Sequence, residues 1–208
     1  HSFPTRRSSD LVPPGDALLR QNAQVGDDIY ISGTVGDARL ALEVFRGTHC
    51  ISGEVFEQAR LRMEQPTPRV ELGTALRAVA NAAIDVSDGL LGDLGHILKR
   101  SGMGAQIDTT WLQAAGQFGD ARLSAGITPV LADLPWNKRL EFALSGGDDY
   151  ELCFTAPVNQ RELVHAAAWE TNTPVTRIGR ITQQQGLVVL DPQGQPIAKR
   201  FASFDHFA

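Results

Sequence analysis

Two carboxylates three positions apart, Asp85 and Asp88, close the apolar run "AAIDV" and stand directly before a glycine and an amphipathic stretch. In an extended "IDVSD", Asp85 and Ser87 share one face while Ile84 and Val86 share the other. The chain then turns at Asp88-Gly89 into a predicted helix over 89–100. Its stripe is Leu90, Leu94, Ile97 and Leu98, Lys99 and Arg100 suit its end, and Gly102 stops it. Backbone N–H groups and the positive end of that helix lie at the turn. Two acids there suit a hard cation such as Mg²⁺, which takes one or two carboxylates and completes its shell with water and phosphate oxygens. On this stretch alone a second reading stays open, with Asp88 capping the helix and Asp85 a solvated strand end.

Two further junctions repeat the pattern. In "ALSGGDDYELCF" (143–154), Gly146-Gly147 allows a sharp turn or close approach to a ligand, and Asp148 and Asp149 precede an alternating strand. A plain loop with both acids solvated is an equal reading. "SGTVGDA" (32–38) is a third strand–glycine–acid–helix junction, read first as a turn with Asp37 at the N-cap. Cys153 is expected as a small core residue and His96 as a packing or surface residue. No Walker-type loop, kinase glycine loop or assignable Ser-His-Asp set is present, so no catalytic residue is assigned. Together the three junctions suggest metal-assisted phosphate chemistry.

The elements that must position these residues follow from periodicity. Strands are predicted at 27–35, 82–86, 102–108 and 150–155, and "TRIGRI" with "GLVVLD" as a paired couple before a turn at "DPQG". Helices are predicted from Asp37 to Gly47, over 54–65 ending before "PTPR", over "RVELGTALRAVANA", within "KRLEFALS" and over "NQRELVHAAAWE". Residues 109–137 are the least periodic. This mixed order points to an α+β fold, a mixed β-sheet layered with helices.

The net charge of -5 over 208 residues, with no basic stripe, argues against a nucleic-acid partner. An anionic substrate would therefore need a metal or local cations. Two cysteines in unlike contexts make no disulfide framework and no metal spacing, and no apolar run is long enough to span a bilayer. The expectation is a cytoplasmic protein with no membrane partner. "HSFPTRRSSDL" has no apolar core of a signal peptide and does not blend with the pattern from Val12 onward, so residues 1–11 read as a foreign or artefactual segment.

"VPPGDALLRQNAQVGDDIYISGTVGDARLAL", "QPTPRVELG", "AIDVSDGLLGDLGHI", "LSGGDDYELCFT", "RIGRI" and the terminal "FDHF" resemble bacterial thiamine-monophosphate kinases. The likeness runs from about Val12 to the end. "IDVSDGL" alone marks only the wider superfamily of aminoimidazole ribonucleotide synthetase; "SGGDDYELCFT" with "DHF" is more specific. The resemblance implies transfer of the γ-phosphoryl of ATP to thiamine monophosphate, with several Mg²⁺ ions and ATP as co-substrate. It makes Asp85 and Asp88 metal ligands, and Ser87 and Arg20 contacts to ATP. Asp148, where many relatives carry Glu, would lie at the thiamine-phosphate site, and Phe204 would stack on the thiamine rings.

The same resemblance divides the chain into 12–26, the end of an N-terminal domain and linker, and 27–208, a C-terminal α+β domain. That family carries a further N-terminal domain with its own metal motif and dimer surface. The isolated chain is thus expected to turn over poorly, and the full-length protein to be a homodimer. Two other readings stand beside this one: a non-catalytic thiamine-phosphate-binding module, and another ATP-dependent enzyme of the superfamily.

Overall fold

A computed structural model describes residues 14–113, 115 and 126–198. Phe204 and the segment 1–11 lie outside the described residues. The chain runs β1 (Asp28–Ser32), α1 (Asp37–Phe45), α2 (Gly53–Glu64), α3 (Val70–Ala75), β2 (Ala82–Val86), α4 (Leu90–Ser101) and β3 (Gly104–Asp108). It continues through α5 (Pro129–Ala132), α6 (Trp136–Ser145), β4 (Glu151–Ala156), α7 (Arg161–Glu170), β5 (Val175–Thr182) and β6 (Gly186–Leu190). The strands form one mixed sheet in the order β2-β4-β1-β5-β3-β6. Every neighbouring pair is antiparallel except β3 with β6. This is the expected α+β class.

Helices cover both faces, so the central strands are buried on both sides. Ile29 and Ile31 of β1 join a large cluster with Leu40 of α1, Leu94 and Ile97 of α4, and Phe142 of α6. Between them Tyr30 points to the opposite face and stacks on Phe154 of β4, with ring centroids 5.2 Å apart. That face is closed by Leu72 of α3 and by Val164 and Ala168 of α7. The period of two along β1 is therefore kept although every residue in it is buried. Cys153 is a core residue and His96 is exposed, as expected.

Two expectations are corrected. "TRIGRI" and "GLVVLD" do form strands, but β5 and β6 do not pair, because β3 lies between them. Gly104 makes room for the connection that wraps over β3, since a Cβ there would sit 1.8 Å from the Gln184 carbonyl oxygen. The predicted helix over "RVELGTALRAVANA" stops at Ala75. Ala78 adopts φ +63, and Asn81 is held by its side-chain bonds to Asp27, so the chain must uncoil to enter β2.

β2 is an edge strand. Residues 14–26 run beside it: the Ala83 N–H donates to the Leu19 carbonyl at 3.0 Å, and Ala23 is buried in the large cluster. No helix among the described residues is long and apolar enough to cross a membrane.

Candidate functional site

One end of the sheet collects the residues singled out by type and spacing. β1 and β2 finish there and β4 begins there. Two loops interlock across this end: the Tyr150 N–H donates to the Val86 carbonyl at 2.8 Å and the Asp148 N–H to the Ser87 carbonyl at 2.9 Å. Gly147 passes so close that a Cβ would lie 2.6 Å from the Ser87 carbonyl oxygen. The glycine pair thus serves a close backbone crossing, not merely a turn. Asp148 and Tyr150 pay for that crossing with positive φ angles of 65° and 50°, a strain held by the two cross-loop bonds.

Asp85 is exposed and lies on the face opposite the buried Ile84 and Val86, as the extended reading required. Ser87, Asp88 and Asp148 are half-buried around the crossing. Arg20, delivered by the segment beside β2, approaches Asp85 at 3.8 Å with both side chains open to solvent. The structure therefore brings Arg20, Asp85, Ser87, Asp88 and Asp148 to one end of the sheet.

The cap reading of Asp88 is corrected. Gly89, at φ +116, occupies the N-cap of α4, which has no side-chain cap. Instead Asp93, from the first turn of α4, reaches back and accepts the Ser87 and Asp88 N–H groups at 2.9 and 3.0 Å. Burial, together with the negative charges of Asp88 and Asp85, pushes the Asp93 carboxyl above the ordinary aspartate range. Asp93 was missed in the sequence, though an acid on the apolar stripe of α4 is a signal that could have found it.

Asp149 is buried, not solvated, and both its oxygens accept the Gly36 N–H, at 2.9 and 3.0 Å. It thereby ties the 146–150 loop to the third junction. Asp37 is not an N-cap either: Gly36 takes that place, and Asp37 accepts the hydroxyls of Thr34 and Thr128. Burial raises Asp149 well above the usual aspartate range, and the nearby Asp37 and Glu151 add to the shift.

A carboxyl raised in the fold holds a proton that the unfolded chain releases. Its contribution to stability is full below the ordinary aspartate range and is lost as pH rises through the raised value. Asp149→Asn keeps an acceptor for Gly36 but cannot ionise. The expected result is a melting temperature that gains on wild type as pH rises through the window that opens above the ordinary aspartate range. A constant difference across that window would show that Asp149 ionises normally in the fold.

Glu151, the first residue of β4, is fully buried. Arg69 grips it with two bonds of 2.7 Å, Arg62 adds a third donor, and the Ser32 hydroxyl donates at 2.6 Å. Gly33 abuts the same carboxylate. None of Arg62, Arg69 and Glu151 was singled out in the sequence. The one available signal was an acid in phase with Cys153 on an apolar strand.

Among the described residues no three His, Cys, Asp or Glu side chains gather into a ready metal cage. The donor chemistry nonetheless fits Mg²⁺ in kind, because that ion takes one or two carboxylates and leaves the remaining positions to water and phosphate oxygens. Asp85 and Asp88 add to the upward push that burial exerts on Asp93, so negative charge gathers at this turn.

Residues 24–191 match the family model described as AIR synthase related protein, C-terminal domain. The thiamine-monophosphate kinase of Escherichia coli O157:H7 is 40% identical over 200 residues, which is 95% of this chain and 58% of that protein. The crystal structure of thiamine-monophosphate kinase from Stenotrophomonas maltophilia K279a superposes with a TM-score of 0.74 at 45% identity, covering 86% of this chain and 54% of that one. A further structure, AaThiL complexed with AMPPCP and TMP, is 27% identical with a TM-score of 0.64, covering 91% of this chain and 54% of that chain. The chain thus spans somewhat more than half the length of the relatives it matches.

Proposed function

Since the chain belongs to the AIR synthase related protein, C-terminal domain family, we propose that it is part of an ATP-dependent thiamine-monophosphate kinase. The observation that carries this reading is the interlocked crossing of "VSDG" and "GGDDY", which sets Asp85, Asp88 and Asp148 at one end of the sheet beside Arg20. The kinase names of the relatives and the AMPPCP and TMP in the solved complex support it.

Phosphoryl transfer asks a protein chiefly to position two anions and to offset their charge. In this reading Asp85 and Asp88 hold Mg²⁺, which when bound neutralises phosphate oxygens. Ser87 offers its hydroxyl to the nucleotide. Arg20, loosely paired with Asp85, is free to turn to a nucleotide phosphate. Asp148 is the contact to thiamine monophosphate, and Phe204 the ring against the thiamine. The strained crossing fixes the spacing between the nucleotide loop and the acceptor loop before either ligand arrives. The active unit is proposed to be the longer protein seen in the relatives, as a cytoplasmic homodimer.

The test is a coupled assay for thiamine diphosphate from ATP and thiamine monophosphate. It is run on this chain and on a fusion that adds the N-terminal portion of the E. coli relative. Product from the fusion, dependent on Mg²⁺ and abolished by omitting thiamine monophosphate, is expected. A folded fusion that binds thiamine monophosphate but yields no product would favour the binding-module reading. One that prefers another phosphorylated acceptor would favour a different enzyme of the superfamily.

A further inference from the structure

We propose that Arg62 and Arg69 together form a binding site for a phosphate-type oxyanion at the end of the sheet that carries Asp85, Ser87, Asp88 and Asp148. Helix α2 lies on the large-cluster face through Ala59, and α3 lies on the opposite face through Leu72. The connection between them must therefore pass around the end of the sheet. Arg62 leaves the last turn of α2 and Arg69 immediately precedes α3, so both guanidinium groups meet at that end on one carboxylate. Glu151 stands opposite Val86 in the ladder, three residues after Asp148.

Charge balance singles the cluster out. Two guanidiniums converge on one fully buried carboxylate, so like charges are held side by side in a partly dehydrated place. Burial favours the neutral form of Asp37 and Asp149, the two further acids that interact with Arg62. A clip between layers would be satisfied by the Arg69 fork and Ser32 alone. The second arginine gains its meaning if an anion completes the set.

The donors for such an anion are present. Each guanidinium carries five N–H groups. Arg69 uses Nε and one terminal nitrogen on Glu151, and Arg62 uses one terminal nitrogen on Glu151 and the Thr34 carbonyl. Among the described residues, the buried side-chain nitrogens and oxygens without a partner are Arg39 Nε, Trp111 Nε1, Thr155 Oγ1 and Thr176 Oγ1. The other nitrogens of Arg62 and Arg69 are not among them, and these side chains are 23% and 16% exposed. Their outer edges therefore reach solvent while their inner edges are locked. A pre-set pair of forks of this kind matches a phosphate bidentately.

The oxyanion is common to a phosphorylated acceptor and to a nucleotide. Its assignment to the acceptor rests on the kinase reading, because Arg20 already serves the nucleotide side there.

The experiment follows the side-chain Nε–H resonances of Arg62 and Arg69 by ¹⁵N NMR in the unaltered chain. The additions are inorganic phosphate, thiamine monophosphate, ATP and unphosphorylated thiamine, each in turn. Phosphate and thiamine monophosphate are expected to shift both resonances, and thiamine to shift neither. Arg62→Gln and Arg69→Gln are each expected to weaken phosphate binding about tenfold or more.

Phosphate that leaves both resonances unmoved in the unaltered chain overturns the site, whatever the variants do. A stronger response to ATP than to thiamine monophosphate keeps the oxyanion site and reassigns it to the nucleotide. If phosphate binds but thiamine monophosphate binds no better, the oxyanion site stands and its assignment to the acceptor falls, while the kinase reading is decided by the fusion assay.

Discussion

Glu151→Ala is expected to lower the free energy of unfolding by about 3–5 kcal/mol, the scale found when one partner of a buried ion pair is removed. The carboxylate has no exposure and collects donors from Ser32, Arg62 and Arg69. Its loss leaves two guanidiniums facing each other across a dehydrated gap, with their inner donors unpaired. It also releases the α2–α3 connection from the end of the sheet. Glu151→Gln keeps the volume and one acceptor but removes the charge, so it should cost less than alanine and still exceed an ordinary surface change. Urea unfolding of both variants checks this. A loss below about 1 kcal/mol for alanine would mean that the arginines find other partners and that the cluster does not hold the layers together.

The second large effect is expected in catalysis. Asp88→Asn should reduce thiamine diphosphate formation about 100-fold or more in an active form of the protein, with the melting temperature little changed. Asp88 is half-buried and its own N–H is already fixed by Asp93, so the loop should keep its path when the side chain becomes an amide. In the proposed kinase reading, what is lost is a charged oxygen donor for Mg²⁺. The diagnostic readout is the Mg²⁺ dependence: raised Mg²⁺ should restore part of the rate. Asp85→Asn should act in the same direction and also free Arg20, 3.8 Å away. A slow variant whose Mg²⁺ requirement matches wild type would remove Asp88 from the metal-binding role.

Much of this arrangement was legible from local pattern. The alternation of Ile84 and Val86 with Asp85 and Ser87 needs only the geometry of a strand, and it holds. Gly102 closes α4 at φ +69, as a C-terminal glycine should. The errors came where distant segments decide the outcome. Nothing within "TRIGRI" or "GLVVLD" reports that β3 will lie between them. Ala78 carries no glycine-like signal for its positive φ, so the helical period reads straight through it. Asp88 has the residue type of a cap, but its neighbour Gly89 took the position and Asp93 supplied the hydrogen-bonding oxygen. Arg62, Arg69 and Glu151 acquire their meaning from one another, and the two arginines lie 89 and 82 residues from the glutamate along the chain.

β1, the first strand of this sheet along the chain, has β4 and β5 as its two neighbours, and both lie far downstream of it. The central strand therefore waits for both of its partners, with the pairing edges beside Ile29 and Ile31 open, until β5 has been made. High contact order of this kind makes for slow folding and long exposure of apolar strand surface. The end of the sheet that collects these acids shares the delay, because Asp148 and Glu151 arrive with β4 while Asp85 and Asp88 were made long before. A nascent chain halted short of β4 lacks the loop that locks onto "VSDG", so ligand binding should begin only once translation has carried the chain past that strand.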